Sequence, residues 1–177
     1  MELKEVLLKR RSVRKFTAES VSDEMIEELL HAAMSGPSAC NKKPWEFYVV
    51  TNEEKLEELK GASKFTKFSA KLAIIVCGNL SHALPMHLAD YWIQDCSAAA
   101  ENILLRVTDL GLGAVWCGIH PLKISSRKST KLTKSSRTTR SAACTISLAR
   151  TGSMASSSRA ARASKASIST VRASAAV

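Results

Sequence analysis

The sequence has 177 residues, of which 45% are hydrophobic and 24% charged, as expected for a globular chain of about one domain. All 16 acidic residues and 14 of the 26 basic residues lie in residues 1–122, so this body has a net charge of −2 and the tail, residues 123–177, has +12. The charge of the body gives no reason to expect nucleic acid as a partner, and no apolar run approaches the roughly 20 residues that span a bilayer.

The first third of the body predicts two helices joined by a basic segment. Apolar residues recur at helical spacing over residues 2–10, and residues 10–16 follow as a loop or extended segment. Ser22 is a candidate N-cap, because acidic residues that favour the helix dipole come directly after it. The helix that it begins is expected to end near Gly36 and Pro37.

Strand and helix patterns alternate along the rest of the body. Aromatic and β-branched residues predict a strand at 45–50, and a continuous apolar run at 72–77 is typical of a strand buried on both faces. A further short strand is expected at 114–117. Between them, Asn52 is expected to cap a short helix that ends at about Lys60. Residues 88–110 predict a long helix with Gly111 at its C-terminal cap. The alternation indicates an α/β or α+β sheet domain.

The tail has a composition unlike that of the body. Of its 55 residues, 45 are Ser, Ala, Thr, Arg or Lys. Three explanations remain open: a disordered basic arm that binds nucleic acid or an acidic membrane, side chains that are recorded wrongly, or translation in the wrong reading frame. Shifting the frame by one nucleotide yields apolar residues at 125, 126 and 129 which, with Leu122, make the stripe of an amphipathic helix. If the side chains are recorded wrongly or the reading frame is wrong, we expect the true tail to complete the same domain as the body.

The five cysteines, at positions 40, 77, 96, 117 and 144, form no C-x-x-C pair. We expect them to be mostly small buried hydrophobic residues in a reducing compartment, without a metal site. The N-terminal sequence MELKEVLLKRR is charged and amphipathic, unlike a signal peptide. The expected location is therefore the cytoplasm.

A first candidate motif is RRSVR, which contains Arg10, Arg11, Ser12 and Arg14. Three guanidinium groups and a hydroxyl can hold a phosphate through several charge-assisted hydrogen bonds. Alternate residues of an extended segment share a face, so Ser12 and Arg14 can converge with Arg10 on one anion. A basic cluster that is merely solvated is the alternative interpretation.

Two further motifs offer close approach to a flat ligand. PSACN, at residues 37–41, supplies a rigid turn, a hydroxyl and an amide, although an ordinary helix-to-strand connection is an alternative. GLGAVWCG, at residues 111–118, has glycines beside which a ligand can approach the backbone. Its G-x-G lacks the third glycine and the strand-before-helix context of a dinucleotide-binding fingerprint.

Together and in this order, RRSVRKF, GPSACNKKPW and GLGAVWCG resemble the nitroreductase family of FMN flavoproteins, over roughly residues 1–122. The resemblance implies an α+β fold with a mixed central sheet flanked by helices, in an intertwined homodimer with FMN at the subunit interface. The residues that it assigns to the FMN phosphate and ribityl chain are Arg10, Arg11, Ser12 and Arg14. Those that it assigns to the flavin of the partner subunit are Pro37, Ser38, Ala39 and Asn41. The backbone that it places beside the reactive edge of the ring is that of Cys117 and Gly118.

The implied activity is an FMN-dependent oxidoreductase that transfers hydride from NADH or NADPH to small electron-poor acceptors, such as nitroaromatics and quinones, by a ping-pong mechanism. The flavin performs the hydride chemistry, so no catalytic side chain is assigned. Two alternatives stay open. One is a specialised enzyme of the same fold that destroys flavin or removes halogen. The other is a nucleic-acid-binding protein that uses the basic tail.

Overall fold

A computed structural model of the protein describes residues 1–61, 66–67, 69–121, 140–150 and 169–172. In the last two ranges it describes the backbone and, of the side chains, that of Ile146. The helical stripe that a shifted frame predicts at positions 122, 125, 126 and 129 lies outside the described residues.

Local capping signals mark two helix starts and one helix end where the sequence predicts them. The described helices are α1 (Leu3–Lys9), α2 (Asp23–Met34), α3 (Glu53–Lys60) and α4 (Tyr91–Asp109). Ser22 Oγ accepts a hydrogen bond from the Met25 amide at 3.4 Å, and Asn52 Oδ1 accepts one from the Lys55 amide at 3.1 Å. Gly111 has a φ of +70° directly after α4, the left-handed conformation that a glycine adopts at a helix end.

Helix α4 begins three residues later than the sequence indicates. The predicted start at Leu88 is instead the end of a short 3-10 turn, Met86–Leu88. The amides of Ala89 and Trp92 donate to the carbonyls three residues before them, Met86 at 3.0 Å and Ala89 at 3.2 Å, so the backbone here makes the tighter turns of a 3-10 helix. Helical spacing of apolar residues therefore extended the prediction beyond the true N-terminus.

The sheet has five strands: β1 (Trp45–Val50), β2 (Leu72–Asn79), β3 (Leu112–Gly118), β4 (Arg140–Arg150) and β5 (Ser169–Arg172). Their order across the sheet is β3-β4-β2-β1-β5, and each neighbouring pair is antiparallel. An isolated parallel bridge between Ser12 and Ala114 adds one parallel pairing to the antiparallel strands, so the pairing is mixed. The predicted α+β class is confirmed.

The two central strands of the body are buried on both faces. All eight residues of β2 are buried, as its continuous apolar sequence predicts. On one face, α2 and α4 cover a core that includes Phe47 and Ile103, both 0% exposed. On the other face, Leu56 and Leu59 of α3 pack against a smaller cluster with Ile119. Among the described residues, none of the helices combines the length and the apolar character needed to cross a bilayer.

Two segments of the tail belong to this sheet. Strand β4 lies between β3 and β2, where Ile146 pairs with Ile74 and is completely buried. Strand β5 pairs with β1 at the edge. The tail thus contributes backbone hydrogen bonds to the same sheet as the body, and the division of the chain at residue 122 stays a prediction from composition.

Candidate active site

The basic segment begins at the C-terminal end of α1. The Arg10 amide donates to the Val6 carbonyl at 3.0 Å, which closes the last turn of the helix. Arg11 Nη1 donates to the carbonyls of Leu8 and Arg10, both at 2.8 Å, so its guanidinium satisfies carbonyl groups at the helix end. Arg11, Ser12 and Arg14 are exposed and Arg10 is half-buried, which leaves donors available to a ligand.

Strand β3 connects this basic segment to the third motif. The Val13 amide donates to the Ala114 carbonyl at 2.8 Å, and Ser12 is bridged to Ala114. Gly118, at the far end of the same strand, is four residues beyond Ala114, about 13 Å along an extended backbone. The bridge to the basic segment is therefore at the third of the seven residues of β3, and Gly118 is the last residue of the strand.

The far end of β3 opens to solvent. Cys117 is buried, whereas Gly118 is exposed, and a Cβ built on Gly118 has no atom of the described residues within 4 Å. Two residues later, the exposed His120 ring meets the buried Trp92 ring edge-on, with 5.3 Å between centroids. A flat molecule can reach the backbone of Gly118 without displacing a side chain of the described residues.

The second motif forms a tight turn between α2 and β1. Cys40, Asn41 and Lys43 have φ values of 50°, 53° and 46°, a left-handed conformation that is uncommon for residues other than glycine. Inside the turn, Ser38 Oγ accepts a hydrogen bond from the Lys43 amide at 3.0 Å. The exposed residues at its surface include Pro37 and Asn41.

A buried carboxylate of α4 anchors the turn. Asp95 Oδ1 accepts a hydrogen bond from the Ala39 amide at 2.9 Å, and Asp95 is only 5% exposed. Burial raises the pKa of Asp95 above its ordinary value, and the hydrogen bond from Ala39 partly offsets that increase. Within one protomer, hydrogen bonds thus join the first motif to the third, whereas the second motif is joined to α4.

Known proteins share this sequence and architecture. The sequence model of the Nitroreductase family matches residues 7–70. A protein of Archaeoglobus fulgidus, provisionally named NADH dehydrogenase/NAD(P)H nitroreductase, is 43% identical over 122 residues, which cover 68% of this chain and 69% of the relative. The chain belongs to the nitroreductase family.

Two further relatives agree with this assignment. A protein of Methanothermobacter thermautotrophicus with the same provisional name is 43% identical over 125 residues, 70% of this chain and 64% of the relative. The match thus spans slightly less than two thirds of that protein's length. The solved structure of an FMN-dependent nitroreductase from Clostridium difficile has a TM-score of 0.75 and 29% identity, and the match covers 87% of this chain and 90% of that one. The similarity of structure therefore extends beyond the body into the tail.

Two buried polar residues of this nitroreductase-family chain lie outside the three motifs. Asp95 is on the buried face of α4 with Trp92 and Ala99. Glu46 is 4% exposed within β1 and accepts hydrogen bonds from Tyr48 Oη at 3.1 Å and Asn79 Nδ2 at 2.9 Å. An acid at an apolar position of the helical or strand pattern is the signal that could have found both.

Proposed function

We propose that the protein is an FMN-dependent oxidoreductase that transfers hydride from NADH or NADPH to small electron-poor acceptors, with nitroaromatics and quinones as the acceptor class. The observation that carries the proposal is the path of β3. The strand is bridged at Ala114, its third residue, to a segment rich in guanidinium groups, and its C-terminal end is an open backbone edge at Gly118. A ligand with a phosphate at one end and a flat ring at the other matches that arrangement.

The chemistry of the donors fits a phosphate monoester. Arg10, Arg11 and Arg14 supply charged N–H groups and Ser12 supplies a hydroxyl, a set that suits the several oxygens of a phosphate. Arg10 Nε lies 3.9 Å from Glu101 Oε1, which restrains this guanidinium without burying it. We assign these four residues to the FMN phosphate and ribityl chain.

The C-terminal end of β3 fits the flavin ring because it leaves open space beside the backbone. Gly118 has free space where a side chain would begin, and Cys117 is held in the sheet by its pairing with β4. Bound FMN supplies the hydride-transferring ring, so the protein's part is to bind, orient and exclude competing reactions. Ping-pong kinetics follow if the nicotinamide and the acceptor use the same space beside Gly118 in turn.

A second copy of the chain is part of the proposal. Exposed apolar side chains on and beside α1 include Leu3 at 67%, Leu7 at 55% and Leu8 at 64% exposure. Leaving such a face in water is unfavourable, and a homodimer that covers it brings a second Pro37–Asn41 turn to the assembly. We assign Pro37, Ser38, Ala39 and Asn41 to the flavin of the partner subunit, and we place the enzyme in the cytoplasm.

The test begins with the visible absorption spectrum of the purified protein. We expect a yellow protein that releases FMN when denatured, runs as a dimer and oxidises NADH or NADPH only when a quinone or nitroaromatic is added. Initial rates at several fixed acceptor concentrations are expected to give parallel double-reciprocal lines. A colourless protein that takes up no added FMN would overturn the proposal, and intersecting lines would overturn the ping-pong mechanism alone.

A further inference from the structure

The Pro37–Lys43 turn holds a backbone conformation that its own residues disfavour. Cys40, Asn41 and Lys43 all have positive φ values although none is glycine. Such conformations persist where the surrounding structure holds them, and they concentrate at functional sites.

Hydrogen bonds restrain the turn from within and from outside. Within it, Ser38 Oγ accepts from the Lys43 amide, and the Asn41 and Lys42 amides donate to the carbonyls of Ser38 and Ala39. From outside, the Asn79 amide donates to the Pro44 carbonyl at 2.6 Å, and the Ala39 amide donates to Asp95, a side chain 56 positions away. The bond to Asp95 is the one that fixes the start of the turn relative to α4.

Packing alone does not explain an aspartate at position 95. Its neighbours on the buried face of α4 are apolar, among them Trp92, Cys96 and Ala99. Taking a carboxylate out of water is costly unless it gains a hydrogen bond, and the bond that it gains here is to the turn. An apolar residue would fill the same place without that cost but could not accept from Ala39.

We propose that Asp95 is a positioning residue, which holds the Pro37–Lys43 turn through the Ala39 amide in the shape required to contact FMN. This inference rests on the proposed function, because the ligand is the flavin assigned above. Asp95 itself touches no ligand. What it contributes is a hydrogen-bond acceptor at a fixed place on a rigid helix, so acceptor capacity rather than negative charge is the property that matters.

Two substitutions of Asp95 separate acceptor from charge. Asp95→Ala removes both, whereas Asp95→Asn removes the charge and keeps a carbonyl oxygen that can accept from Ala39. We expect the Kd for FMN, measured by quenching of flavin fluorescence with the dimeric protein, to rise at least tenfold in Asp95→Ala and less than threefold in Asp95→Asn. Ser97→Ala is the matched control on the same helix, since Ser97 Oγ donates within α4 to Ile93 and has no part in the turn.

A variant at Ala39, the donor of the bond to Asp95, tests whether Asp95→Ala acts through that bond or by disturbing the fold of α4. Ala39→Pro deletes the donor, and Ser38 has the extended conformation that a residue before proline prefers. We expect it to raise the Kd as Asp95→Ala does, and the double variant to be no weaker than either single one. Additive losses, or an Asp95→Asn variant as weak as Asp95→Ala, would overturn the acceptor role.

A second measurement requires no flavin. Hydrogen exchange of peptides covering residues 37–43 in the flavin-free protein is expected to be faster in Asp95→Ala than in the wild type, and unchanged in Asp95→Asn and Ser97→Ala. If the wild type binds no FMN, the proposed function fails. If the wild type binds FMN and Asp95→Ala changes neither affinity nor exchange, the proposed function survives and the positioning role fails.

Discussion

The indole ring of Trp92 lies directly against the backbone of Gly78. A Cβ at position 78 would be 2.3 Å from Trp92 Cε3, closer than any real carbon contact. Gly78 is in β2 and Trp92 is in the first turn of α4, so this contact sets how closely the helix approaches the sheet. It also places the indole edge-on to His120, beyond the open end of β3.

Gly78→Ala is expected to destabilise the protein. The new methyl group must displace a ring that is 4% exposed, and overpacking of a core typically costs about 1–3 kcal/mol. The free energy of unfolding, measured by chemical denaturation, is expected to fall by that amount. Gly61→Ala is the control, because the nearest atom of the described residues to its new Cβ is the Glu58 carbonyl oxygen at 3.4 Å, and a change of at most about 0.5 kcal/mol is expected there. Equal stability of Gly78→Ala and the wild type would contradict the close contact.

In contrast to Gly78→Ala, Gly118→Ala is expected to leave the stability almost unchanged and to impair FMN binding or turnover. Its Cβ meets no atom within 4 Å in the part of the chain that the structure describes, so the stability is expected to change by at most about 0.5 kcal/mol. If the flavin ring occupies the space beside Gly118, the methyl group must weaken FMN binding or slow turnover. Titration with FMN and steady-state rates check this prediction. If Gly118→Ala has the affinity and rate of the wild type, the flavin ring does not lie at this end of β3.

Arg14→Ala is expected to weaken FMN binding without affecting the fold. Arg14 is exposed, and its contact within the chain is a 3.4 Å hydrogen bond to the Ser12 carbonyl. A hydrogen bond to a charged group contributes about 1.5–3 kcal/mol, so the Kd should rise roughly 10- to 100-fold. Lys15→Ala, one residue away and also exposed, is expected to leave the Kd within about threefold. Equal losses in the two variants would indicate a general charge effect rather than a phosphate contact.

The pH dependence of stability is expected to differ between the wild type and Asp95→Asn. Burial raises the pKa of Asp95 in the folded protein, so ionisation of this carboxyl disfavours the folded state. Its stabilising contribution is complete below the pKa of the unfolded chain, near 3.9, and is lost as the pH rises through the higher folded pKa. The Asn variant has no such loss. Its unfolding free energy minus that of the wild type should therefore increase between pH 3 and pH 7, and a constant or decreasing difference would contradict the assignment.

The mass of the intact protein separates the explanations for the tail. A basic arm with the written sequence predicts 19.2 kDa and salt-dependent binding of nucleic acid. A shifted frame predicts a different mass and tryptic peptides with apolar residues at positions 125, 126 and 129. A mass of 19.2 kDa would exclude both the shifted frame and wrongly recorded side chains.

The parts of the fold that can be predicted from the sequence are those that depend on residues close together in the sequence. Caps at Ser22 and Asn52 act within three residues of themselves, and their hydrogen bonds are present. The bond between Asp95 and Ala39 joins residues 56 positions apart, and no local pattern indicates such a partner. The two strands within the tail escaped prediction because they contain no aromatic residue, and β4 has only Thr145 and Ile146 as β-branched residues among eleven. Most of the candidate site came from motif resemblance, and its anchoring residue came from the structure.

The position of β4 has a consequence for how the chain acquires its shape during synthesis. Strands β2 and β3 are separate in the sheet until the strand at 140–150 enters between them and pairs with both. A nascent chain that has emerged only as far as β3 thus exposes two unpaired strand edges, which are prone to pair with other chains. Closure of this gap depends on contacts far apart in sequence, which form slowly. Chaperone protection is therefore expected to matter most in the interval before residues 140–150 leave the ribosome.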